Sequence, residues 1–371
     1  MKVVLTGGGT GGHIYPAISI AQALADAVPD IAILYMGSSH GPEGEIAREA
    51  GLEFVAIPSG PLTRALSPRN AASIWKLFAG VFRARAILKR FRPDVVIGTG
   101  GYTTASILLA QWSLGGSTVI HEQNARPGRT NLMLARFADR ICVTFEVSAA
   151  FLPKDKVVVT GLPIRREFRS LPDKAEARRS LGLDDGLFTI VAVGGSQGAR
   201  KPNEIVAAAW PLFDDGRTQV LHQAGARNVD EMRSLLERLY KSRRGREGEQ
   251  QRYRIEAYVD MPAALASADL VISRSGASTI AEITAVGLPS ILFPYPHAYA
   301  DHQTTNAKCL VEPGAAVLCS DVSTTPEELA GIISDLRGSP DKLAAMAKAS
   351  EALGKPDAAE RVADVALSVA E

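Results

Sequence analysis

The stretch VVLTGGGTGGHIYPA, from Val3 to Ala17, places a run of glycines and a histidine directly after a short apolar strand. Glycine allows tight turns and lets backbone N–H groups approach an anion at the N-terminus of the following helix. The GxGxxG spacing from Gly7 fits the dinucleotide-binding fingerprint, which also needs an acidic residue at the end of the second strand. That strand ends at Ser38 without a carboxylate. The stretch therefore predicts strand, anion-binding turn and helix, and it disfavours a dinucleotide.

The composition is that of an ordinary globular protein with two domains. A chain of 371 residues is too long for one core, and 46% apolar and 22% charged residues are normal values. A net charge of +1 gives no reason to expect a nucleic-acid partner. Cys142, Cys309 and Cys319 have neither paired nor metal-ligand spacing, which favours a reduced compartment. The chain opens into a strand and has no run of about 20 apolar residues, so neither a signal peptide nor a membrane span is expected.

Short apolar strands alternate with longer helical patterns along the chain. The first half contains KVVLTG, IAILYMG, DVVIGTG and STVIHEQ. After the linker GLPIRREFRSLP, which starts at Gly161, the alternation restarts with LFTIVAVGG and runs to AAVLCS. This pattern predicts two α/β domains, each a doubly wound parallel sheet with helices on both faces. We expect the domains to face each other across a cleft, with ligands at the carboxyl ends of the strands.

Three further glycine-containing turns follow predicted strands: GTGGYTT from Gly98, GGSQGAR from Gly194 and SRSGASTIAE from Ser273. A tight strand-to-helix turn explains any one of them. Four such turns would place several helix N-termini around the ligand edge, which suits two diphosphate ligands better than one.

The stretch from Phe54 to Pro93 has no acidic residue and eight basic ones, interleaved with apolar residues. An interfacial surface needs apolar side chains that insert and cations that meet anionic headgroups. Trp75, Phe78 and Phe82 have spacings near one helical face, which favours membrane contact. The alternative is that these side chains, Phe82 and Leu77 above all, belong to the core of the first domain.

Six motifs occur in order along the chain: GGTGGHIYP, GTGGY, HEQN, GGSQGAR, RSGASTIAE and GLPSILFPYPHAYADHQTTNA. Together they resemble the MurG family of bacterial N-acetylglucosaminyltransferases, within glycosyltransferase family 28, over nearly the whole chain. The combination of HEQN with GGSQGAR is the most specific part. The resemblance implies a GT-B fold of two Rossmann-like domains. Residues 1–162 would bind acceptor and membrane, residues 163–345 would bind UDP-N-acetylglucosamine, and residues 346–371 would hold a helix that crosses back to the first domain.

The resemblance also implies a reaction. N-acetylglucosamine passes with inversion from UDP-N-acetylglucosamine to the muramoyl 4-hydroxyl of undecaprenyl-diphospho-N-acetylmuramoyl-pentapeptide, and UDP leaves. It implies no cofactor, a peripheral position on the cytoplasmic face of the cell membrane, and cell-wall synthesis and division proteins as further partners. Leu162 departs from the family, which commonly has Asn there, so a polar linker contact is expected to be absent. The alternatives are another GT-B transferase, a nucleotide-sugar epimerase of the same architecture, or a binding protein with a degenerate site.

The donor needs positive stabilisation, because a diphosphate departs with UDP. No Asp-x-Asp motif is present to hold a metal, so a helix N-terminus and an arginine are the expected source. A carboxylate at Glu282, on the helix after the fourth glycine turn, can accept both ribose hydroxyls. By the resemblance, the substrate-binding residues are Arg165 and Ser196 at the diphosphate, Val259 at uracil, Ala277, Ser278, Thr279 and Glu282 in the fourth turn and its helix, Gln303 at the sugar hydroxyls, and Thr10, Gly11, Gly12 and Asn124 at the donor sugar.

An inverting transfer needs a base that takes the proton from the acceptor hydroxyl. His13 is the candidate, since it starts a helix at the ligand edge and histidine titrates in a suitable range. Its alternative role is to hydrogen-bond the acceptor diphosphate. Glu122 is a second candidate base or the residue that orients the site, and His121 is expected to be structural. Tyr102 and Asn131 are the expected acceptor contacts.

Overall fold

The computed structural model describes residues 1–60, 68–194, 199–241 and 252–370. Two compact units divide the chain. Unit 1 comprises Met1–Arg166 and Lys355–Glu371, and unit 2 comprises Glu167–Gly354. No described helix is both long and apolar enough to cross a membrane.

Unit 1 is built on a seven-stranded parallel sheet. Its strands are β1 Lys2–Thr6, β2 Ala32–Ser38, β3 Glu53–Ile57, β4 Val95–Gly98, β5 Ser117–Glu122, β6 Arg140–Val143 and β7 Val157–Val159. They lie in the order β3-β2-β1-β4-β5-β6-β7, and all neighbours are parallel. The helices are α1 Gly11–Ala27, α2 Glu43–Glu49, α3 Pro68–Phe91, α4 Tyr102–Trp112, α5 Arg129–Leu134 and α14 Ala358–Ala370.

The strands of unit 1 are apolar on both faces because helices cover both sides of the sheet. In β1, Val3 and Leu5 join one buried apolar cluster and Val4 joins another. Val362 of α14 lies in the first cluster together with Ile14 of α1. The last helix of the chain therefore completes the core of unit 1.

Unit 2 is built on a six-stranded parallel sheet. Its strands are β8 Phe188–Val193, β9 Thr218–Gln223, β10 Tyr253–Glu256, β11 Leu270–Ser273, β12 Ser290–Leu292 and β13 Ala316–Leu318. They lie in the order β10-β9-β8-β11-β12-β13, again all parallel. The helices are α6 Lys174–Ser180, α7 Arg200–Phe213, α8 Val229–Lys241, α9 Met261–Ser267, α10 Ala277–Val286, α11 His302–Val311, α12 Pro326–Gly338 and α13 Pro340–Leu353.

Aromatic packing anchors the core of unit 2. Trp210 of α7 is completely buried and meets Phe213 and Tyr253 edge to face, with ring centroids 5.4 Å apart in both pairs. Such pairs add to the stabilisation that burial gives. They fix α7 against the sheet, directly after the third glycine turn.

The prediction of two doubly wound parallel-sheet domains is confirmed. In each sheet the strand order reverses beside the first strand, between β1 and β4 in unit 1 and between β8 and β11 in unit 2. Ligands of such folds bind at this switch point, outside the carboxyl ends of the strands. The limits differ in detail from the sequence-based ones: unit 1 runs to Arg166, and the expected boundary after residue 345 falls inside α13, which lies wholly in unit 2.

Candidate functional site

Two glycine turns meet at the switch point of unit 1. The amide N–H of Gly8 donates to the carbonyl oxygen of Gly100 at 3.2 Å. Gly101 has φ +90°, and a Cβ there would lie 2.5 Å from the carbonyl oxygen of Gly8. Only glycine allows this close approach of the two backbones. The helices that follow, α1 and α4, have no acidic residue in their first turns, so their N-termini form a site suited to an anion.

His13 lies in the first turn of α1, half-buried, beside this pair of turns. Its Nδ1 is 2.9 Å from the carbonyl oxygen of Thr99 and 3.1 Å from Oε1 of Gln123. Both partners are acceptors, so Nδ1 carries the proton and Nε2 carries the lone pair. Burial lowers the pKa of His13, while the Glu122 carboxylate, Thr99 and Gln123 oppose that shift. The ring is therefore neutral near pH 7, as a general base must be.

Glu122 ends β5 and is almost fully buried. Its Oε1 accepts from the backbone N–H of Asn124 at 2.9 Å, and its Oε2 accepts from the backbone N–H of Gly128 at 3.0 Å and from Nδ2 of Asn131 at 2.8 Å. Donors thus occupy both carboxylate oxygens. This arrangement favours the orienting role for Glu122, which holds residues 123–128 in place, over its role as a second base.

The two expected acceptor contacts differ in access. Tyr102, the first residue of α4, is 40% exposed, and a Cβ built on Gly9 would lie 3.3 Å from its hydroxyl. Asn131 is buried, and its Nδ2 also donates to the carbonyl oxygen of His121 at 3.0 Å. Tyr102 is thus placed beside the first glycine turn, whereas Asn131 acts on the site through Glu122 and His121.

A carboxylate that the sequence analysis did not single out, on the first residue of α2, lies beside the end of β2. Glu43 is completely buried, and its Oε1 accepts from the backbone N–H of Ser38 at 2.9 Å. A Cβ on Gly8 would lie 2.5 Å from that oxygen. Because this carboxylate is enclosed beneath the glycine turn, it supports the turn and cannot take the ribose role of the dinucleotide fingerprint.

In unit 2, α10 begins directly after β11, at the switch point of its sheet. Ala277, Ser278 and Thr279 form its first turn, which has no acidic residue. Glu282 lies further along the same helix and is half-buried. This geometry offers backbone N–H groups to an anion and a carboxylate on the same helix.

Gln303 of α11 is oriented by the backbone. Its Oε1 accepts from the N–H of Tyr295 at 2.9 Å, so the amide presents Nε2 as a donor. The hydroxyl of Ser275 donates to the carbonyl oxygen of Gln303 at 2.8 Å, which ties α11 to the turn before α10. The sequence missed Arg274, which pairs with both oxygens of Asp321 at 2.6 and 2.7 Å and so stiffens the same turn.

The other residues expected to bind the donor lie on several different segments of the chain. Val259, the residue expected at uracil, donates its amide N–H to Oε1 of Gln223 at 3.1 Å. Arg165 is half-buried near the end of the first segment of unit 1, Met1–Arg166. Thr10 precedes α1, Gly11 and Gly12 begin it, and Asn124 follows β5, so these four lie at the same sheet edge as His13. Ser196 lies outside the described residues. Leu162, the departure from the family motif, is buried.

The aromatic face of α3, which we define as Trp75, Phe78 and Phe82, is exposed. The three side chains are 74%, 56% and 72% accessible, so the core alternative is wrong for Phe82.

Leu77 lines a cavity of about 200 Å³ between α3, α4 and α5, together with Tyr102 and others. Two exposed apolar residues of α5, Leu132 and Met133, were not foreseen. Lys76, Arg83, Lys89 and Arg90 are exposed on α3.

The described residues contain no cluster of side chains that could bind a metal ion. Among residues 1–60, 68–194, 199–241 and 252–370, no group of three or more His, Cys, Asp or Glu side chains could hold a metal ion. All three cysteines are free thiols, and burial raises the pKa of Cys142 to about 12.

Comparison with known proteins gives the class. A model of the glycosyltransferase family 28 N-terminal domain matches residues 3–143, and a model of the family 28 C-terminal domain matches residues 189–362. A solved structure of a putative UDP-N-acetylglucosamine 2-epimerase from Listeria monocytogenes has a TM-score of 0.70 at 15% identity, over 97% of this chain and 94% of its own, which shows a shared fold alone. The two family models, which together match most of the chain, thus define a glycosyltransferase of the two-domain class.

Two closer matches give the family within that class. A Desulforudis audaxviator protein named UDP-N-acetylglucosamine--N-acetylmuramyl-(pentapeptide) pyrophosphoryl-undecaprenol N-acetylglucosamine transferase is 44% identical, over 98% of this chain and 97% of its own. The crystal structure of MurG from Acinetobacter baumannii has a TM-score of 0.79 at 27% identity, over 99% of both chains. The chain belongs to glycosyltransferase family 28, and within it to the MurG family.

Proposed function

We propose that the protein transfers N-acetylglucosamine from UDP-N-acetylglucosamine to the 4-hydroxyl of the muramoyl sugar in undecaprenyl-diphospho-N-acetylmuramoyl-pentapeptide. The relative at 44% identity carries the name of this activity over almost the full length of the chain. The observation that carries the proposal is His13, a neutral histidine with a basic Nε2 beside two glycine turns suited to a diphosphate. A base and an anion site side by side suit an acceptor that carries both a reacting hydroxyl and a diphosphate.

The acceptor belongs to unit 1 in this proposal. The N-termini of α1 and α4 meet its diphosphate, and Tyr102 borders the sugar. Nε2 of His13 takes the proton of the 4-hydroxyl as the oxygen attacks the anomeric carbon of the donor. The attack comes from the side opposite to UDP, so the configuration at that carbon inverts. Glu122 and Asn131 keep residues 123–128 in position, as their mutual hydrogen bond indicates.

The donor belongs to unit 2. Backbone N–H groups at the start of α10 and of the GGSQGAR turn, with Ser196, stabilise the charge that grows on UDP as the bond breaks, and Arg165 is the one contribution from unit 1 to that charge. Glu282 accepts the ribose hydroxyls, Val259 meets uracil, and Gln303 donates from Nε2 to the hydroxyls of the sugar. Thr10, Gly11, Gly12 and Asn124 complete the contacts to the donor sugar. No step in this proposal uses a metal ion or a cofactor.

The acceptor's polyprenyl tail places the reaction at a membrane surface. We propose that the aromatic face of α3 and its neighbouring cations dock unit 1 on the cytoplasmic face of the cell membrane. Their exposure supports this assignment. Peptidoglycan synthesis at that surface would bring cell-wall and division proteins within reach as partners.

One assay tests the proposed function. Purified protein is incubated with UDP-N-acetylglucosamine and a short-chain analogue of the lipid-linked acceptor. We expect a disaccharide product and one UDP for each product formed, only when both substrates are present. Formation of an epimeric nucleotide sugar without acceptor would instead identify an epimerase, and tight donor binding with neither product would identify a binding protein.

A further inference from the structure

Two buried polar side chains of unit 1 have no role in the function proposed above. His121 is completely buried in β5, and Gln123, which directly follows that strand, is 3% exposed. Both belong to one chain of hydrogen bonds that ends at His13. We propose that Gln123 and His121 are positioning residues, which hold the proton of His13 on Nδ1 and thereby keep Nε2 as the basic atom. This inference rests on the proposed function only in so far as His13 is the base.

The donor-to-acceptor direction of these hydrogen bonds is set at His121, the end of the network farthest from His13. Nε2 of His121 lies 2.8 Å from the carbonyl oxygen of Gly161, which can only accept, so Nε2 carries a proton. Burial lowers the pKa of His121 to about 4, so the ring is neutral at pH 7 and its Nδ1 is an acceptor. Gly161 has φ +85°, and a Cβ there would lie 2.6 Å from Cβ of Lys355. The backbone at Gly161 is thus held where the chain returns to unit 1.

The next link is the amide of Gln123. Its Nε2 lies 3.2 Å from Nδ1 of His121, 2.5 Å from the carbonyl oxygen of Thr99 and 3.1 Å from that of His121. All three are acceptors, so only the NH₂ group can face them. A rotation of the amide by 180° would place Oε1 against three acceptors, which is repulsive. The orientation of this amide is therefore fixed by its surroundings.

The last link reaches the base. With NH₂ directed at His121 and Thr99, the Oε1 of Gln123 faces Nδ1 of His13 at 3.1 Å and accepts its proton. The carbonyl of Thr99 accepts from the same Nδ1 at 2.9 Å. A rotated amide would offer a donor there, so the carbonyl of Thr99 alone would be left to hold the proton on Nδ1. The titratable groups that act on His13 electrostatically are Glu122 and His121, both on β5.

The direct test is the tautomer of His13 in the whole protein. Nitrogen NMR on protein labelled in its histidines distinguishes a ring nitrogen that bears a proton from one that bears a lone pair, and His13→Ala identifies the signals. We expect the proton of neutral His13 on Nδ1. A proton on Nε2 in the wild type would overturn the proposal, whatever the variants do.

Two variants test the consequence for catalysis. Gln123→Leu removes one acceptor from Nδ1, and we expect kcat to fall about threefold to tenfold, the factor that one neutral hydrogen bond is worth, with the Kd for UDP unchanged. Gln123→Glu adds a carboxylate beside Nδ1, so His13 stays protonated to higher pH and the acid limb of kcat/KM moves upward. A merely structural Gln123 would leave this pH profile in place.

The control is Gln22→Leu, the same change on the half-buried side of α1, which should alter neither kcat nor the pH profile. Wild-type kcat and an unmoved acid limb in both Gln123 variants would contradict the proposal. The proposed function fails separately: if the wild type makes no disaccharide while His13 still carries its proton on Nδ1, the network stands and the reaction is a different one.

Discussion

Units 1 and 2 have the same strand order around the switch point, yet the residues at that point differ in kind. In unit 1 the switch point holds His13, which is hydrogen-bonded to the buried pair Gln123 and His121, and Glu122 is buried on the same strand as His121. In unit 2 the corresponding turn is held by Ser275 and by the ion pair of Arg274, and α10 offers its N-terminus. In the proposed function, the fold supplies an anion site in each unit, and the side chains on the turns decide which unit can move a proton.

The largest expected effect concerns the proton. His13→Ala removes the only group proposed as base, and we expect kcat to fall by about 10²–10⁴, the usual value of a general base. The Kd for UDP, measured by calorimetry, should stay at its wild-type value because the donor belongs to unit 2. His40→Ala, an exposed histidine of unit 1, is the matched control. Unchanged turnover in His13→Ala would mean that unit 1 does not supply the base through His13.

The second prediction concerns unit 2, where a substitution should weaken UDP binding. Glu282→Ala leaves the ribose hydroxyls without their acceptor, so UDP should bind about tenfold to a hundredfold more weakly. Glu237→Ala, an exposed carboxylate on α8, should leave the affinity unchanged. Calorimetric titration with UDP decides the point: equal affinity for wild type and Glu282→Ala would mean that Glu282 does not hold the ribose.

The third prediction concerns the aromatic face, which only unit 1 has in this proposal. Replacing Trp75 and Phe78 by Ser should weaken binding to vesicles rich in anionic lipid about tenfold, since two rings that insert are lost. Wild-type binding should weaken with salt, because the Coulomb attraction is screened. The free energy of unfolding should change by less than about 0.5 kcal/mol, as for other exposed sites.

Phe151→Ser is the control for that experiment, because Phe151 is also an exposed aromatic of unit 1 but lies on no part of α3. Activity on a soluble short-tail acceptor should survive in the double variant. If the double variant loses several kcal/mol of stability and both acceptors suffer alike, the rings belong to the fold and not to the membrane contact.

The smallest expected effect is that of metal removal. The proposed stabilisation of UDP comes from helix N-termini and Arg165, so EDTA should leave the transfer rate close to its starting value. The rate is measured before and after dialysis against EDTA, with added Mg²⁺ as the comparison. Full loss of activity that Mg²⁺ restores would place the charge on an ion instead of on the protein.

The sequence predicts the fold because each strand is marked by a pattern of neighbouring residues. KVVLTG and LFTIVAVGG are short apolar runs before glycine-containing segments, and each forms an interior strand of a parallel sheet. The position of His13 followed from the same local pattern. The exact chain limits did not, because nothing local marks Lys355 as the point where the chain returns to unit 1.

The support beneath the site could not be predicted in this way. Gln123 stands within the HEQN motif, but its proposed function depends on residues from other parts of the chain. Thr99, which follows β4, contacts Gln123 directly, and Gly161, which follows β7, orients His121. Glu43 was not identified from the sequence because it lies five positions after the last residue of β2. Such contacts join residues that are far apart in sequence, and only the packed sheet edge brings them together.

The central claim, that unit 2 holds the donor nucleotide while unit 1 holds the acceptor, is tested most directly by hydrogen exchange on the intact protein. UDP alone should slow exchange in α10 and α11 and leave the turns at residues 7–13 and 98–104 unchanged. A short-chain acceptor analogue alone should slow exchange in those two turns. Protection of the turns by UDP, with α10 and α11 unaffected, would contradict the account.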